Sequence, residues 1–414
     1  MNSISLRDLW TATRQTRSGR LIEATALIQR ALQGQPASGE PRSGEREPLT
    51  IDVEATEITK GTGYNHEGVA AGPHFTPRTL SANTRRAIPE GRGGFLDLAG
   101  RVGRQLQGGI ARSFPSETAA PGVAGSQFLS AIFTNRAGTR PYKLYIPSTY
   151  CGQPVPLIVM LHGCTQSPDD FAAGTRMNAA AEETGSLILY PGQTVAANSS
   201  KCWNWFSTGD QMRDRGEPCV IAGITREVIR QYAVDAGRVY VAGLSAGGAA
   251  AAIMGRAYPD LYAAVGVHSG LACGAAHDLP SAFIAMRQGG HGSADAQERA
   301  ERWGPVRTIV LHGDRDTTVH RLNADLVIAQ AMSGTTLHRK VREGRVPGGH
   351  AYSVTTHTDA TGKAAAEQWV IHGAGHAWSG GSSAGSYTDP RGPDATREML
   401  RFFLQQENTS GPRH

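Results

Sequence analysis

The sequence predicts an α/β fold built on a doubly wound, mostly parallel sheet, carried by the C-terminal two thirds of the 414-residue chain. Three observations predict it. Beyond residue 126, apolar runs of strand length alternate with helical patterns, as expected where crossover helices join parallel strands. One run, Pro156-Leu157-Ile158-Val159-Met160-Leu161, is continuously apolar, as in a strand covered on both faces. Glycine fills 51 positions while charged residues make up only 19%, a composition unlike that of a helical bundle.

Taken in order, residues 1–34 read as an amphipathic helical segment. Leu21, Ala24, Leu27, Ile28, Ala31 and Leu32 recur at helical spacing up to Gly34, and Ser18-Gly19 separates them from an earlier helix over 5–17. Such a stripe packs on its own domain or docks to a partner or an apolar surface. Residues 35–125 are rich in Gly, Pro and Ser; they bury too little to offset ordering entropy, so a largely disordered linker is expected, with one short helix near 94–109. The folded domain is expected over 126–408. It opens with a hairpin, 128–134 and 142–146, turning through Asn135-Arg136-Ala137-Gly138. The buried strand 156–161 follows, then a helix over 169–184 and a strand over 187–190. A helix over 217–234, with Pro218 in its first turn, leads to a strand at 238–242. Next come a small-residue helix over 246–257, strands at 263–267 and 308–311, a helix over 321–331, a strand at 368–371 and a last helix over 395–405.

Charge and cysteine usage narrow the function classes. Forty-one basic against 36 acidic residues leave +5, spread along the chain without a polybasic arm, so nucleic acid is not expected as a partner. No run reaches the ~18 apolar residues of a membrane span. The first residues lack a basic start followed by an apolar core, and a cytoplasmic protein is expected. Five cysteines, all beyond residue 150, are an odd number and cannot form a closed disulfide framework.

The chemistry concentrates at strand ends. Strand 238–242 runs into Gly243-Leu244-Ser245-Ala246-Gly247-Gly248 and then a helix, the context of a nucleophile elbow, in which a serine sits on a strained turn between close-packed glycines. Gly381-Ser382-Ser383-Ala384-Gly385 also fits G-x-S-x-G, but it has neither strand before nor helix after and reads as a loop. A serine nucleophile needs a base, and the base an acid. Strand 308–311 ends in His312-Gly313-Asp314-Arg315-Asp316, and strand 368–371 in His372-Gly373-Ala374-Gly375-His376. Asp316, with Asp314 as the alternative, and His376, in preference to His372, complete a candidate triad with Ser245. Its order, Ser, Asp, His, is that of α/β-hydrolases. The backbone N–H groups of Ala246 and Cys164, the latter on the turn after strand 156–161, are the expected oxyanion donors. His162 reads as turn support. His372 and His376 are four apart as in H-E-x-x-H, but Gly373 replaces the glutamate, so neither a metal nor a cofactor is expected. Cys164 and Cys202 are candidates to meet near the site.

Five ordered motifs, LIVMLHGCTQ (157–166), KCWNWF (201–206), VYVAGLSAGGAAAAIMG (239–255), LHGDRDTTV (311–319) and IHGAGHAWSGG (371–381), resemble the polyhydroxybutyrate (PHB) depolymerase family of esterases, related to feruloyl and acetylxylan esterases. The resemblance, over about 125–406, implies an α/β-hydrolase fold, a Ser-His-Asp acyl-enzyme mechanism and, by its D-x-x-V segment, Asp316 over Asp314. It implies a polyester or oligoester as substrate and makes residues 1–34, which look like the leader of intracellular members, a candidate contact with the polymer granule. Secreted members, which would place the protein outside the cell, carry a signal peptide and a polymer-binding domain not seen in this sequence. Trp203, Trp205 and Trp378, beside catalytic loops, are candidate walls of an apolar substrate cleft. The rival readings are a feruloyl- or acetylxylan-type carboxylesterase and a granule-binding protein that keeps only the fold.

Overall fold

The computed structural model describes residues 123–290, 306–332, 338–360 and 362–405. The helices expected within 1–34, the linker up to residue 122 and the helix near 94–109 lie outside the described residues. Among the described residues no helix is long and apolar enough to cross a membrane.

Among the described residues, twelve strands and seven α-helices follow in chain order. Strands β1 (Gln127–Asn135) and β2 (Gly138–Ile146) form the expected hairpin, and β3 (Val155–Leu161) is buried at every position. Helices α1 (Pro168–Thr175) and α2 (Met177–Thr184), strand β4 (Leu187–Pro191) and helix α3 (Gly216–Gln231) come next. Strand β5 (Val234–Leu244) enters α4 (Ala246–Ala257), then β6 (Ala264–His268) and α5 (Leu279–Gln288). Strand β7 (Arg307–Gly313), α6 (Leu322–Ala331), β8 (His338–Arg345), β9 (Ala351–Thr358) and β10 (Ala364–His372) continue the main sheet. The short pair β11 (Trp378–Ser379) and β12 (Thr388–Asp389) and helix α7 (Ala395–Leu404) end it.

The sheet runs β1-β2-β4-β3-β5-β6-β7-β10-β9-β8. Strands β4 to β10 in that order pair in parallel, and antiparallel strands flank them on both sides. The alternation within β3 explains the double winding. Leu157, Val159 and Leu161 enter one core with Val220, Ile224 and Val228 of α3 and Val327 and Ile328 of α6. Ile158 and Met160 enter the other, with Phe171 of α1, Met177 of α2 and Met399, Phe402 and Phe403 of α7. Each such side chain contributes roughly 1.5–3 kcal/mol on burial, and a strand sandwiched in this way cannot carry polar residues at either parity.

Two departures from expectation have physical causes. The helix expected over 169–184 is broken at Arg176, which takes φ 55° and caps α1. Its guanidinium donates to the Gly380 carbonyl (2.6 Å) and to Asp394 (3.0 Å), more than two hundred residues away. The antiparallel pair β8/β9 was not expected at all. Strand β8 exposes His338, Arg339, Lys340, Arg342 and Arg345 along the sheet edge, and a strand polar on both faces has no alternation to reveal it.

Candidate active site

Ser245 stands between β5 and α4 with φ 57° and ψ −119°, a conformation that costs a non-glycine residue of order 1–3 kcal/mol. Its N–H donates to the His268 carbonyl at 2.9 Å, and its own carbonyl accepts from Ala249 at 2.9 Å. The flanking glycines are required by close approach. A Cβ on Gly247 would lie 2.0 Å from the Leu161 carbonyl oxygen, and one on Gly243 would lie 2.3 Å from that of Gly247. The turn therefore packs α4 directly onto the end of β3, and the first-turn N–H groups of α4, beginning with Ala246, have no partner within the helix.

Asp316 follows β7 and His376 follows β10, its parallel neighbour. The His376 Nδ1–H donates to Asp316 Oδ2 at 2.7 Å, which leaves Nε2 as the basic nitrogen. Asp316 Oδ1 accepts from the N–H groups of Thr318 (2.9 Å) and Val319 (2.8 Å), and His312 Nε2 lies 3.4 Å from Oδ2. The carboxylate side chain is wholly buried. Desolvation alone would raise its pKa, but hydrogen bonds and charge from His312 and His376 outweigh that and hold it well below the usual carboxylate range. The alternative pairing is also occupied: Asp314 accepts from His372 Nδ1 (3.0 Å) and from the Gly373 N–H (2.7 Å). A Cβ on Gly313 would lie 2.3 Å from the Ala374 carbonyl oxygen, so the two catalytic-side loops are in backbone contact.

The loop after β3 reaches the serine from the other side. The Gly163 N–H donates to Gln166 Oε1 at 2.9 Å, and a Cβ on Gly163 would lie 3.7 Å from the Ser245 Cβ. Cys164, next in sequence, is disulfide-bonded to Cys202, so these two cysteines do meet beside the site. The Thr165 N–H also donates to the Ser200 carbonyl at 2.6 Å. Gln166 Nε2 in turn donates to Asp170 (2.8 Å) and to the Ser386 carbonyl (3.1 Å).

Buried polar side chains brace this frame. His162 accepts the Gln193 N–H on Nε2 (3.0 Å) and pairs through Nδ1 with the Gly163 carbonyl (2.8 Å); burial pulls its pKa down to about 4. His268 accepts the Ser379 N–H on Nε2 at 3.0 Å. Burial, reinforced by the nearby His312 and His376, lowers its pKa to about 3. Thus the residue whose carbonyl holds the Ser245 N–H lies close enough to His376 to feel its charge. Glu217 is pushed up to about 6 by burial and by Asp210. It ties down the 201–206 motif, accepting from the backbone N–H (2.7 Å) and the amide (2.8 Å) of Asn204.

Two of the three tryptophans suggested as cleft walls, Trp203 and Trp378, are sealed inside the protein. Trp203 has no exposure, and its Nε1–H donates to the His162 carbonyl (3.1 Å). Trp378 is 1% exposed, stacks on His268 and donates to Thr396 Oγ1 (3.1 Å). Both brace catalytic loops from within, and neither presents a face that a substrate reaches without displacing protein. Trp205 is 6% exposed and belongs to a buried cluster that includes Ala246, Ala249 and Val319. Sequence reasoning missed the roles of Gln166 and His312, which lie inside two of the quoted motifs, and of Glu217 and His268, which lie in none. It also missed Tyr387, an exposed aromatic with φ 52°, because neither exposure nor a left-handed backbone is written in residue type.

A second Ser-His-Asp chain exists. Ser353 Oγ lies 2.8 Å from His372 Nε2, and His372 Nδ1 reaches Asp314. Ser353 lies inside β9, paired with Val370, so no helix N-terminus follows it to offer oxyanion donors. Ser245, Asp316 and His376, by contrast, come from the carboxyl ends of β5, β7 and β10, where an open parallel sheet places its chemistry. A hydroxyl at a helix N-terminus and an imidazole backed by a charged carboxylate are the components of nucleophilic acyl transfer.

Comparison with known proteins points to a carboxylic ester hydrolase. The family described as Esterase PHB depolymerase matches residues 140–341. Poly(3-hydroxyalkanoate) depolymerase C of Paucimonas lemoignei is 30% identical over 267 residues, 61% of this chain and 63% of that protein. Feruloyl esterase B of Neurospora crassa is 32% identical over 37% of this chain and 52% of its own length. The chain thus spans less than two thirds of the length of these relatives. A solved acetyl xylan esterase from Aspergillus awamori shares the fold with TM-score 0.52 and 19% identity, over 67% of this chain and 98% of its own.

Proposed function

We propose, from the match of residues 140–341 to the PHB depolymerase family of esterases, that the protein is a serine carboxylic ester hydrolase cleaving poly- or oligo(3-hydroxyalkanoate) esters. Ser245 attacks the ester carbonyl while His376 Nε2 takes its proton, and Asp316 orients His376 and stabilises the imidazolium. The tetrahedral oxyanion is held by the N–H groups of Ala246 and Cys164. His376 then protonates the leaving alcohol, and water repeats the sequence on the acyl-enzyme to release the acid. Loss of one such oxyanion donor costs ~3 kcal/mol of barrier.

The observation that carries this reading is the bond from His376 to a buried Asp316 carboxylate that accepts from three donors, with His312 Nε2 3.4 Å away. A carboxylate so saturated is fixed in its ionised state and in one orientation, which a histidine base requires. Fluorophosphonate labelling followed by peptide mapping tests it: a single adduct on Ser245 is expected, lost in Ser245→Ala. An adduct on Ser353 in that variant would assign the chemistry to the other chain of residues, and no adduct at all would favour a granule-binding protein with an idle hydrolase fold.

The feruloyl esterase relative favours a second reading, an aryl or carbohydrate ester as substrate. Turnover of methyl ferulate without turnover of hydroxybutyrate oligomers would select it. We further propose that residues 1–34 dock the protein to the polymer granule through their apolar stripe. Deleting them should reduce co-sedimentation with granules while leaving soluble-ester activity in place.

A further inference from the structure

We propose that Tyr387 is a substrate-binding subsite, taking the apolar chain segment that flanks the scissile ester. The inference deepens the ester hydrolase reading and rests on it. Tyr387 is tied to both sides of the site. Its carbonyl accepts the Trp378 N–H at 2.7 Å, two residues beyond His376. Its hydroxyl lies 3.3 Å from Thr165 Oγ1, one residue beyond Cys164. The residue therefore bridges the loop that carries the base, through its main chain, and the loop that carries the expected oxyanion donor, through its side chain.

Its surroundings are anchored while the ring is not covered. Ser386 donates through its N–H to Asp170 at 2.9 Å, and Thr388 Oγ1 donates to the Ser382 carbonyl at 2.9 Å. Yet Tyr387 itself is 48% exposed. Both members of the bridging pair, Tyr387 at φ 52° and Thr165 at φ 66°, adopt the left-handed backbone that disfavours side chains of their size. Stability explains neither the uncovered ring nor the backbone cost. A ligand does: a rigid aromatic with two rotatable bonds offers apolar area at little entropic cost, and it stands between the loops of His376 and Cys164.

The test compares Tyr387→Ala and Tyr387→Phe on p-nitrophenyl acetate, a 3-hydroxybutyrate trimer and methyl ferulate. In Tyr387→Ala, kcat/KM for the trimer should fall about tenfold further than that for the acetyl ester, through KM, as expected for losing roughly half a ring of contact, while Tyr387→Phe retains the preference. Calorimetric binding of the trimer in a Ser245→Ala background reads the same loss without turnover. If wild type turns over only methyl ferulate, the polyester reading fails and the extra loss is expected on that ester instead. Equal losses on acetyl ester, trimer and ferulate, equal losses in the Phe variant, or unchanged trimer affinity in the Ala variant each overturn the subsite.

Discussion

Removing the Cys164–Cys202 bridge should separate the stability of the domain from the geometry of its oxyanion loop. The two cysteines are 38 residues apart, and closing a loop of that length stabilises a fold by about 4 kcal/mol in the chain-entropy treatment. Spread over a folded unit of about 280 residues, this corresponds to a fall in Tm of roughly 7 °C for Cys202→Ala or for the reduced wild type. The effect on catalysis should be smaller than the ~10²–10³-fold loss that follows deletion of an oxyanion donor. The N–H of Cys164 remains in place, and the Thr165 N–H still holds the Ser200 carbonyl at 2.6 Å. Thermal melts and kcat for a soluble ester, each with and without reductant, make the measurement. Reductant should lower the wild-type Tm and leave Cys202→Ala unchanged. A variant that melts within about 2 °C of wild type, or a reductant response equal in both proteins, would refute the reasoning. We propose that the bridged form is the working one.

The two aspartates should differ sharply. Asp316→Asn should cost about 10³–10⁴ in kcat, because the His376 Nδ1–H loses its charged acceptor, whereas Asp314→Asn should cost less than about tenfold, since its partners His372 and Gly373 lie outside the proton path; equal losses would merge the two networks. Acid sensitivity should follow from His162 and His268, whose folded pKa values of about 4 and about 3 lie below the ordinary 6.5. The unfolded chain then binds more protons than the folded one, so stability is lost as pH falls below 6.5. Glu217, raised to about 6, opposes one of the two, leaving a net slope of about 1.4 kcal/mol per pH unit between pH 6 and 5. Urea melts should show that slope nearly flattened in His268→Gln, and an unchanged slope would count against it.

Much of the fold was legible because its signals are local. Helix α4 begins and ends where the small-residue run does, and β3 is covered on both faces as its continuous apolar run required. Asp316 is preferred over Asp314 from its place beyond the strand end, and the D-x-x-V resemblance favours it too; the geometry adds a physical difference between the two. Asp316 turns back to accept from the N–H groups two and three residues ahead, which a residue at 314, engaged with Gly373, does not do. The illegible parts depend on partners far along the chain. Nothing near Arg176 announces a helix break that Gly380 and Asp394 enforce. Trp203 and Trp378 adjoin catalytic motifs, as wall residues would, but their indole N–H groups are committed to holding loops. Residue type and spacing do not distinguish a ring that faces substrate from one that supports the loop beneath it.

The charged rim formed by β8 has a consequence for behaviour in bulk. An outermost strand offers unpaired backbone groups to any neighbour of matching length, and a ten-stranded sheet presents a long, ready template. With Arg339, Lys340, Arg342 and Arg345 exposed along that strand against one exposed carboxylate, Glu343, two copies meeting edge to edge would bring mostly like charges within a few ångströms of each other. Copies crowded together, as they would be on a solid surface, are thereby kept from zipping into fibrils. Neutralising that rim would be felt first in shelf life and filterability, long before it was felt in turnover.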